Sequence, residues 1–159
     1  MRHLHRILAW AKSLMFIDPH LDPSAERYAD FQKLVETAKK QRPLIEFHRV
    51  CYDGGGPNRT FPTRAEFENR FGKLDGQLKR DGLSAELFVW DDFHDRYLIS
   101  NLIGILLPNG YDTSKDSGSM TTWTRLSPAD RDDVQREFDP ATKRHSLKWR
   151  IPLGIPTGG

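Results

Sequence analysis

The sequence predicts an α/β domain in which a mixed sheet is flanked by helices, and three observations support this. Short apolar runs, rich in β-branched and aromatic residues, alternate with segments whose apolar residues recur at helical spacing. Clusters of Gly, Pro, Asp and Asn separate these segments. The length of 159 residues is typical of one domain. We therefore expect a single domain over residues 1–152 and a flexible Pro/Gly-rich tail over residues 153–159.

In the first half of the chain, helices and strands are predicted in strict alternation. A short amphipathic helix is expected over residues 3–13 and a buried strand over residues 14–17, which stops at an Asp-Pro turn. A second helix begins at Asp22-Pro23, and its apolar stripe extends to Ala38. The β-branched and aromatic content of residues 44–51 then predicts the second strand.

The second half continues the pattern. Thr63 and Glu66 form a capping box, and the helix that they begin ends at Gly82. One more helix starts at Ser127-Pro128 and extends to about Phe138. The remaining apolar or alternating runs predict strands over residues 86–90, 96–100, 103–107 and 146–151.

Composition limits the possible functions. With 24 Lys and Arg against 22 Asp and Glu, the net charge is only +2, so a strongly basic nucleic-acid surface is excluded and anion binding would require a local cluster. The single cysteine, Cys51, excludes an internal disulfide and indicates a reducing compartment. Lys12 interrupts the N-terminal apolar run, and no run approaches the roughly 20 apolar residues of a membrane span. We expect a cytoplasmic protein without a transmembrane segment.

The stretch FHDRYLISN, residues 93–101, carries the most chemical information. It places His94 two residues before Arg96, at the start of an apolar strand. An imidazole beside a fixed cation is suited to handling a phosphate group. The same pair is also compatible with an ordinary strand edge whose polar side chains face water.

The order of these segments resembles that of the phospholipase D superfamily, over about residues 14–112. The family signature is a histidine, a lysine two residues later and an aspartate five residues beyond, followed by a glycine-containing turn. Here His94 matches the histidine, Arg96 stands in the lysine position and Asn101 stands in the aspartate position. The second motif that completes a site in this superfamily is missing from the chain.

Two further stretches support the resemblance to one bacterial branch of this superfamily, whose members carry an HDR motif. Asn109, Gly110, Tyr111 and Asp112 are similar to the Gly-aromatic-Asp ending of that branch. FIDPHLD, residues 16–22, is similar to its strand ending in Asp-Pro-aromatic. Members of this branch are often found in bacterial defence or mobile-element systems, so nucleic acid is the favoured partner by analogy.

The resemblance implies a definite chemistry. A neutral imidazole attacks the phosphorus of a diester, a second histidine protonates the leaving oxygen, and water then opens the phosphohistidine. Arg96 would bind two phosphate oxygens with its planar guanidinium group. Asn101 would orient the catalytic groups, and Asn109, Gly110 and Asp112 would help to bind the phosphate. The scheme needs no metal and no cofactor, but it needs a second half-site from a homodimer or a partner chain.

Other residues allow two interpretations each. Asp18 and His20 follow the first strand, where ligands of α/β sheets bind, and they either line the cleft or form a helix-entry turn. Trp90 and Trp149 are each either a core or interface anchor or a base-stacking platform. The basic residues around Trp149 either contact a phosphate backbone or form a solvated strand edge: Lys143, Arg144, His145, Lys148 and Arg150. The histidines lack the spacing of zinc ligands.

The departures from the signature leave three hypotheses open. The first is a dimeric phosphodiesterase, most simply a nuclease, with His94 as nucleophile or acid. Because Asn101 cannot carry the charge of an aspartate, the second is a degenerate module that binds nucleic acid or phosphate groups without turnover. The third is a structural subunit of a larger complex, in which the motif is a relic.

Overall fold

The structure is a computed structural model that describes residues 2–108, 110–111 and 123–156. Within these ranges the chain forms a seven-stranded mixed sheet, in the spatial order β6-β5-β4-β1-β2-β3-β7. Its strands are β1 (Ser13–Ile17), β2 (Leu44–Val50), β3 (Ser84–Trp90), β4 (Tyr97–Ser100), β5 (Gly104–Leu106), β6 (Thr124–Arg125) and β7 (Leu147–Gly154). Strands β1, β2 and β3 are parallel, and the others pair antiparallel with their neighbours.

Helices lie on both faces of this sheet, which confirms the predicted α/β class. The described α-helices are α1 (Arg2–Trp10), α2 (Phe31–Glu36), α3 (Arg64–Arg70), α4 (Gly72–Arg80) and α5 (Pro128–Glu137). On one face, Phe31 of α2 contacts Phe16 of β1, and Phe71, between α3 and α4, contacts Phe47 of β2. On the other face, Phe138 at the end of α5 lies against the rings of β2 and β3. None of these helices is long and apolar enough to cross a membrane.

Two predicted helices differ from the observed ones. The helix expected to begin at Asp22-Pro23 starts later, because the Asp22 carboxylate accepts hydrogen bonds from Ser24 and Ala25 is extended. A 3₁₀ turn, Glu26–Tyr28, precedes α2. The helix predicted between Thr63 and Gly82 is two helices, because Phe71 leaves the helical conformation as its ring enters the core.

The predicted start of this region is confirmed, whereas the predicted C-terminal boundary of the domain differs from the observed one. The Thr63 hydroxyl caps α3 by accepting a hydrogen bond from the Glu66 N–H. At the C-terminus, β7 extends past the predicted boundary at residue 152, since Leu153 pairs with Ala85 and Gly154 with Ser84. Residues 157–159 of the predicted tail lie outside the described residues.

A fully buried histidine, His48, lies in the middle of the sheet. Its Nδ1 accepts a hydrogen bond of 2.9 Å from the Trp90 indole N–H, and its Nε2 is 2.8 Å from a Glu46 carboxylate oxygen. Because an indole nitrogen can only donate, Nδ1 carries no proton and the imidazole is neutral. Burial lowers the pKa of His48 accordingly, against the opposing effect of Glu46.

This neutral imidazole predicts acid sensitivity. The unfolded chain takes up a proton at His48 as the pH falls below about 6.5, whereas the folded chain does not. The free energy of unfolding should therefore decrease on acidification, by up to about 1.4 kcal/mol per pH unit from this residue. Urea titrations between pH 8 and pH 5 would measure the slope of the free energy of unfolding against pH.

His48→Asn is the matched variant, since its carboxamide oxygen still accepts from Trp90 but does not titrate. His20, whose pKa is also lowered by burial, contributes in the same direction and remains in both proteins. The slope should be smaller in His48→Asn than in the wild type. Equal slopes in the two proteins would contradict the assignment.

Candidate functional site

The candidate site lies at one edge of the sheet, where the three parallel strands end. Since β4 runs antiparallel to β1, with Tyr97 opposite Ile17, β4 begins at this same edge. Ligands of α/β sheets bind outside the carboxyl ends of the parallel strands. The topology therefore gathers the polar residues that follow β1, β2 and β3 with those that precede β4: Asp18, His20, Tyr52, Asp92, His94 and Arg96.

Asp18 is the buried anchor of this edge. One carboxylate oxygen accepts a hydrogen bond from the backbone N–H of His20 at 3.0 Å. The other accepts from the Tyr28 hydroxyl at 3.0 Å and from the backbone N–H of Tyr111 at 3.1 Å. The first oxygen also lies 3.6 Å from Nε of Arg96. Asp18 thereby fixes three segments of the chain around one carboxylate.

Gly110 allows the close approach of these groups. Its φ of +58° is in the left-handed region, and a Cβ there would lie 2.6 Å from Cδ of Arg96 and 2.9 Å from Cγ of Asp18. The next residue, Tyr111, is buried and donates its hydroxyl to the carbonyl of Tyr97 at 2.6 Å. Burial and then the Asp18 charge raise the pKa of Tyr111 well above its ordinary value. This tyrosine is a neutral structural group.

The Arg96 guanidinium has a partner at Nε, and its terminal nitrogens have none among the described residues. Its side chain is 30% exposed and faces Asp18 through Nε. Within the described part of the chain, its two terminal nitrogens form no other ion pair or hydrogen bond. The planar pair of N–H groups that binds two oxygens of a phosphate is therefore available to a ligand.

His94 lies near Arg96 in sequence, and its side chain is 80% exposed. Its Nε2 is 3.6 Å from one oxygen of Asp92, and the other oxygen of Asp92 accepts a short hydrogen bond from the Tyr52 hydroxyl. Burial, and then this bond to Asp92, raises the pKa of Tyr52 to about 12. Asp92 is thus the link between a solvent-exposed imidazole and a buried phenol.

A second imidazole, that of His20, reaches the same edge from β1. Its ring lies edge-on to Tyr52, with 6.4 Å between ring centroids. Burial is the main cause that lowers the pKa of His20, and the Asp18 charge opposes it. Three positive charges add to the lowering: Arg49, Arg96 and Arg27. The ring is therefore mainly neutral at pH 7, and it can accept a proton or attack an electrophile.

Sequence reasoning missed the residue that holds the loops of this edge, Arg49. It is fully buried, and its guanidinium donates to the carbonyls of Val50, Leu21 and Tyr52 at 2.8, 3.0 and 3.0 Å. It also donates to the Asp53 carboxylate at 3.0 Å. An arginine inside the predicted strand LIEFHRV was the available signal, because a charge placed in a core must find fixed partners.

The structure corrects the prediction for Asn101, which lies at the opposite edge of the sheet. Its carboxamide oxygen accepts hydrogen bonds from the backbone N–H groups of Lys12 and Ser13, at 2.8 and 3.3 Å. The physical reason is the direction of β4: five extended residues carry the chain about 16 Å away from Arg96. Asn101 anchors the start of β1 and does not belong to the site.

The other predicted site residues fall into two groups, those that the structure places at this edge and those outside the described residues. The structure brings His94, Arg96, Gly110, Asp18 and His20 to one edge, whereas Asn109 and Asp112 lie outside the described residues. Among the residues that the structure describes, no cluster of three or more His, Cys, Asp or Glu side chains could hold a metal ion.

Comparisons with known proteins add little to this geometry. No protein-family profile and no curated protein matches the sequence. Among solved structures, the chain is similar to TrmBL2, an archaeal chromatin protein whose structure shows a novel mode of DNA binding, at 10% identity and a TM-score of 0.49. The match covers 92% of this chain and 49% of the other, so the chain spans about half the length of that structure.

Proposed function

We propose that the protein is a phospholipase D-like phosphodiesterase that cleaves nucleic acid through a histidine nucleophile, without a metal or another cofactor. The main support is that the exposed His94 and the partly exposed Arg96 lie two residues apart at this edge, and that the terminal nitrogens of Arg96 form no ion pair or hydrogen bond within the described part of the chain. The buried Asp18 supports this arrangement, since it faces Arg96 and lies close to Gly110.

The reaction follows from these groups in two steps. An imidazole nitrogen attacks phosphorus, a P–N bond forms, and the P–O bond to the leaving strand breaks as that oxygen takes a proton from a second imidazole. Water then attacks the phosphohistidine, which frees the imidazole and leaves a phosphate monoester. Arg96 compensates the negative charge that builds up on the non-bridging oxygens.

The second imidazole has two candidate sources. A two-fold axis through the site of a homodimer would supply His94 of a second copy, as the family resemblance implies. His20 would supply it within one chain, since it reaches the same edge and contacts Tyr52. The cleavage rate is measured at protein concentrations far below the dimer dissociation constant. A rate that stays proportional to protein concentration there favours His20, whereas a rate per molecule that is lost on dilution favours the dimer.

One observation favours a second function, that of a phosphate-binding module without turnover. Arg96 is fixed by a buried carboxylate, but the only ion pair of His94 in the described structure is the 3.6 Å contact with Asp92. A site of this kind would bind a nucleic acid as long as Arg96 is present, whether or not His94 is present. The single cysteine, Cys51, is a free thiol, which supports a cytoplasmic location for either function.

The proposal is tested by incubating the purified protein with end-labelled single- and double-stranded oligonucleotides in excess EDTA. We expect strand cleavage, and after an acid-free quench we expect a labelled oligonucleotide fragment joined through its terminal phosphate to histidine, when the label is on the fragment that keeps this phosphate. The solution mass of the same sample gives the oligomeric state. Binding without any cleavage would reject the enzyme and favour the binding module, and an absence of both would reject the two functions together.

A further inference from the structure

A row of aromatic rings and cations leads away from the candidate site over the protein surface. We call it the aromatic–basic strip and define it by Tyr52, Arg59, Phe61, Lys148 and Trp149. Phe61 is the exposed aromatic member, with 61% of its surface accessible. Its ring contacts the Tyr52 ring on one side and the Lys148 ammonium on the other, so it is part of a larger surface and not an isolated exposed side chain.

The contacts along the strip join rings to cations and one ring to another. The Arg59 guanidinium lies 4.0 Å from the centroid of the Tyr52 ring, and the Tyr52 and Phe61 rings are 6.3 Å apart. Beyond Phe61, the Lys148 ammonium lies 5.7 Å from the Phe61 centroid and 4.7 Å from that of Trp149. The strip is therefore one continuous chain of contacts.

The two cations of the strip are available to an anion. Arg59 and Lys148 are both exposed, and neither forms an ion pair with a carboxylate in the part of the chain that the structure describes. Both charges are held over rings, which limits their conformational freedom without neutralising them. An anionic ligand would therefore bind to two cations whose positions are already fixed.

The backbone beneath the strip is also fixed. Asp53 and Thr60 exchange two hydrogen bonds, of 2.8 and 3.0 Å, on either side of the loop that carries Arg59. The Asp53 carboxylate is held in turn by Arg70, at 3.0 and 2.6 Å. Phe61 follows this bridge directly, so its exposure is set by an ordered segment.

The strip begins at the site itself. Tyr52, its first ring, donates its hydroxyl to Asp92, and the other oxygen of Asp92 faces His94. A chain-like ligand lying on Phe61 and Arg59 would thus reach the imidazole in its next units. This continuity distinguishes the strip from a scattered exposed side chain.

We propose that the aromatic–basic strip binds single-stranded nucleic acid, with a base stacked on Phe61 and backbone phosphates at Arg59 and Lys148. Aromatic side chains interleaved with cations are the means by which proteins bind single strands. A duplex keeps its bases stacked inside and cannot present one to Phe61. That the ligand is a nucleic acid rests on the proposed function. In that function, the strip would bind single strands in preference to duplexes and place the bound strand next to His94.

Binding is tested separately from cleavage, by fluorescence anisotropy of a labelled 12-nucleotide oligo-dT in EDTA, using the His94→Ala background so that no strand is cut. Phe61→Ala should weaken binding by roughly 5- to 100-fold, because one stacked base is lost. Phe61→Tyr, which keeps the ring, should bind like the parent. Lys148→Gln should reduce the slope of log K against log salt by about 0.7, the value for one single-strand phosphate.

Trp10→Ala is the matched control. Trp10 is also an exposed aromatic residue, at 62%, with the Lys40 ammonium 5.7 Å from its ring centroid, but it lies just before β1 at the opposite edge of the sheet. This variant should bind oligo-dT as the parent does. Thermal unfolding of each variant shows whether it is folded.

The outcomes separate the two proposals. Tight binding of oligo-dT that depends on Phe61 supports the strip, even if the wild type never cleaves and the proposed enzyme is rejected. Unchanged binding by Phe61→Ala, an equal loss in Trp10→Ala, or a preference for duplex DNA would overturn the strip even if the wild type cleaves. Phe61-dependent binding to phosphatidylglycerol vesicles, without binding to oligo-dT, would also overturn it, in favour of a lipid surface.

Discussion

Replacing His94 with alanine is expected to lower cleavage of single-stranded DNA in EDTA by about 10³-fold or more. In the proposed mechanism this imidazole attacks phosphorus or protonates the leaving oxygen, and loss of such a group typically costs this much. Its folding should be unaffected, because the side chain is 80% exposed and its one ion pair within the described residues is with Asp92. Initial rates at saturating oligonucleotide, together with melting temperatures, would measure both effects.

Two further variants show whether the loss of cleavage is specific to the site. Arg96→Lys keeps the charge but loses the planar pair of donors, so cleavage should fall by about 10²-fold. Asn101→Ala should cleave like the wild type, although it loses the hydrogen bonds that hold the start of β1 and about 1 kcal/mol of stability. Inactivity of folded Asn101→Ala would restore that residue to the site, and full activity of His94→Ala would remove the histidine from it.

Replacing Gly110 with alanine is expected to reduce the free energy of unfolding by about 3 kcal/mol. Alanine at φ +58° costs about 1–2 kcal/mol in backbone strain. Its Cβ would also meet Cδ of Arg96 at 2.6 Å and a carboxylate oxygen of Asp18 closer still. The buried Asp18 would have to move and weaken its hydrogen bonds to Tyr28 and Tyr111, which adds a further 1–3 kcal/mol.

Gly82→Ala separates the two causes. Gly82 has a similar φ of +69°, but a Cβ there would meet no atom within 4 Å. Its loss of stability in urea titrations measures the backbone term alone, and the excess in Gly110→Ala measures the contact with Asp18 and Arg96. Weaker oligonucleotide binding should accompany that excess. If the two variants lose equal stability, Gly110 does not hold the site together in the way described.

The sequence predicts the parts of this fold that depend on local patterns. Six of the strands in the described residues were located to within a few residues, because their apolar runs are bounded by turn residues. The strand β6, Thr124–Arg125, has only two residues and leaves no pattern to detect. The break of a predicted helix at Phe71 depends on a contact with Phe47, a residue far away in sequence.

The candidate site was predictable to the same extent. Asp18 and His20 follow β1 and His94 follows β3, so the rule for parallel strands places them together. The same rule, applied to the ends of β2 and β3, would have indicated Tyr52 and Asp92. The separation of Asn101 from Arg96 follows from the predicted strand between them. Its place at the start of β1 could not be deduced, because it depends on the antiparallel pairing of β4 with β1.

Arg49 has a consequence for how this edge of the sheet moves. Its guanidinium joins the turn after β1, at Leu21, to the segment after β2, at Tyr52 and Asp53. Opening of either segment alone would leave a charge in the core without its full set of acceptors, which costs several kcal/mol. The two loops therefore form one cooperative unit of local unfolding, and Tyr52 shares the rigidity of the sheet interior while lying beside solvent.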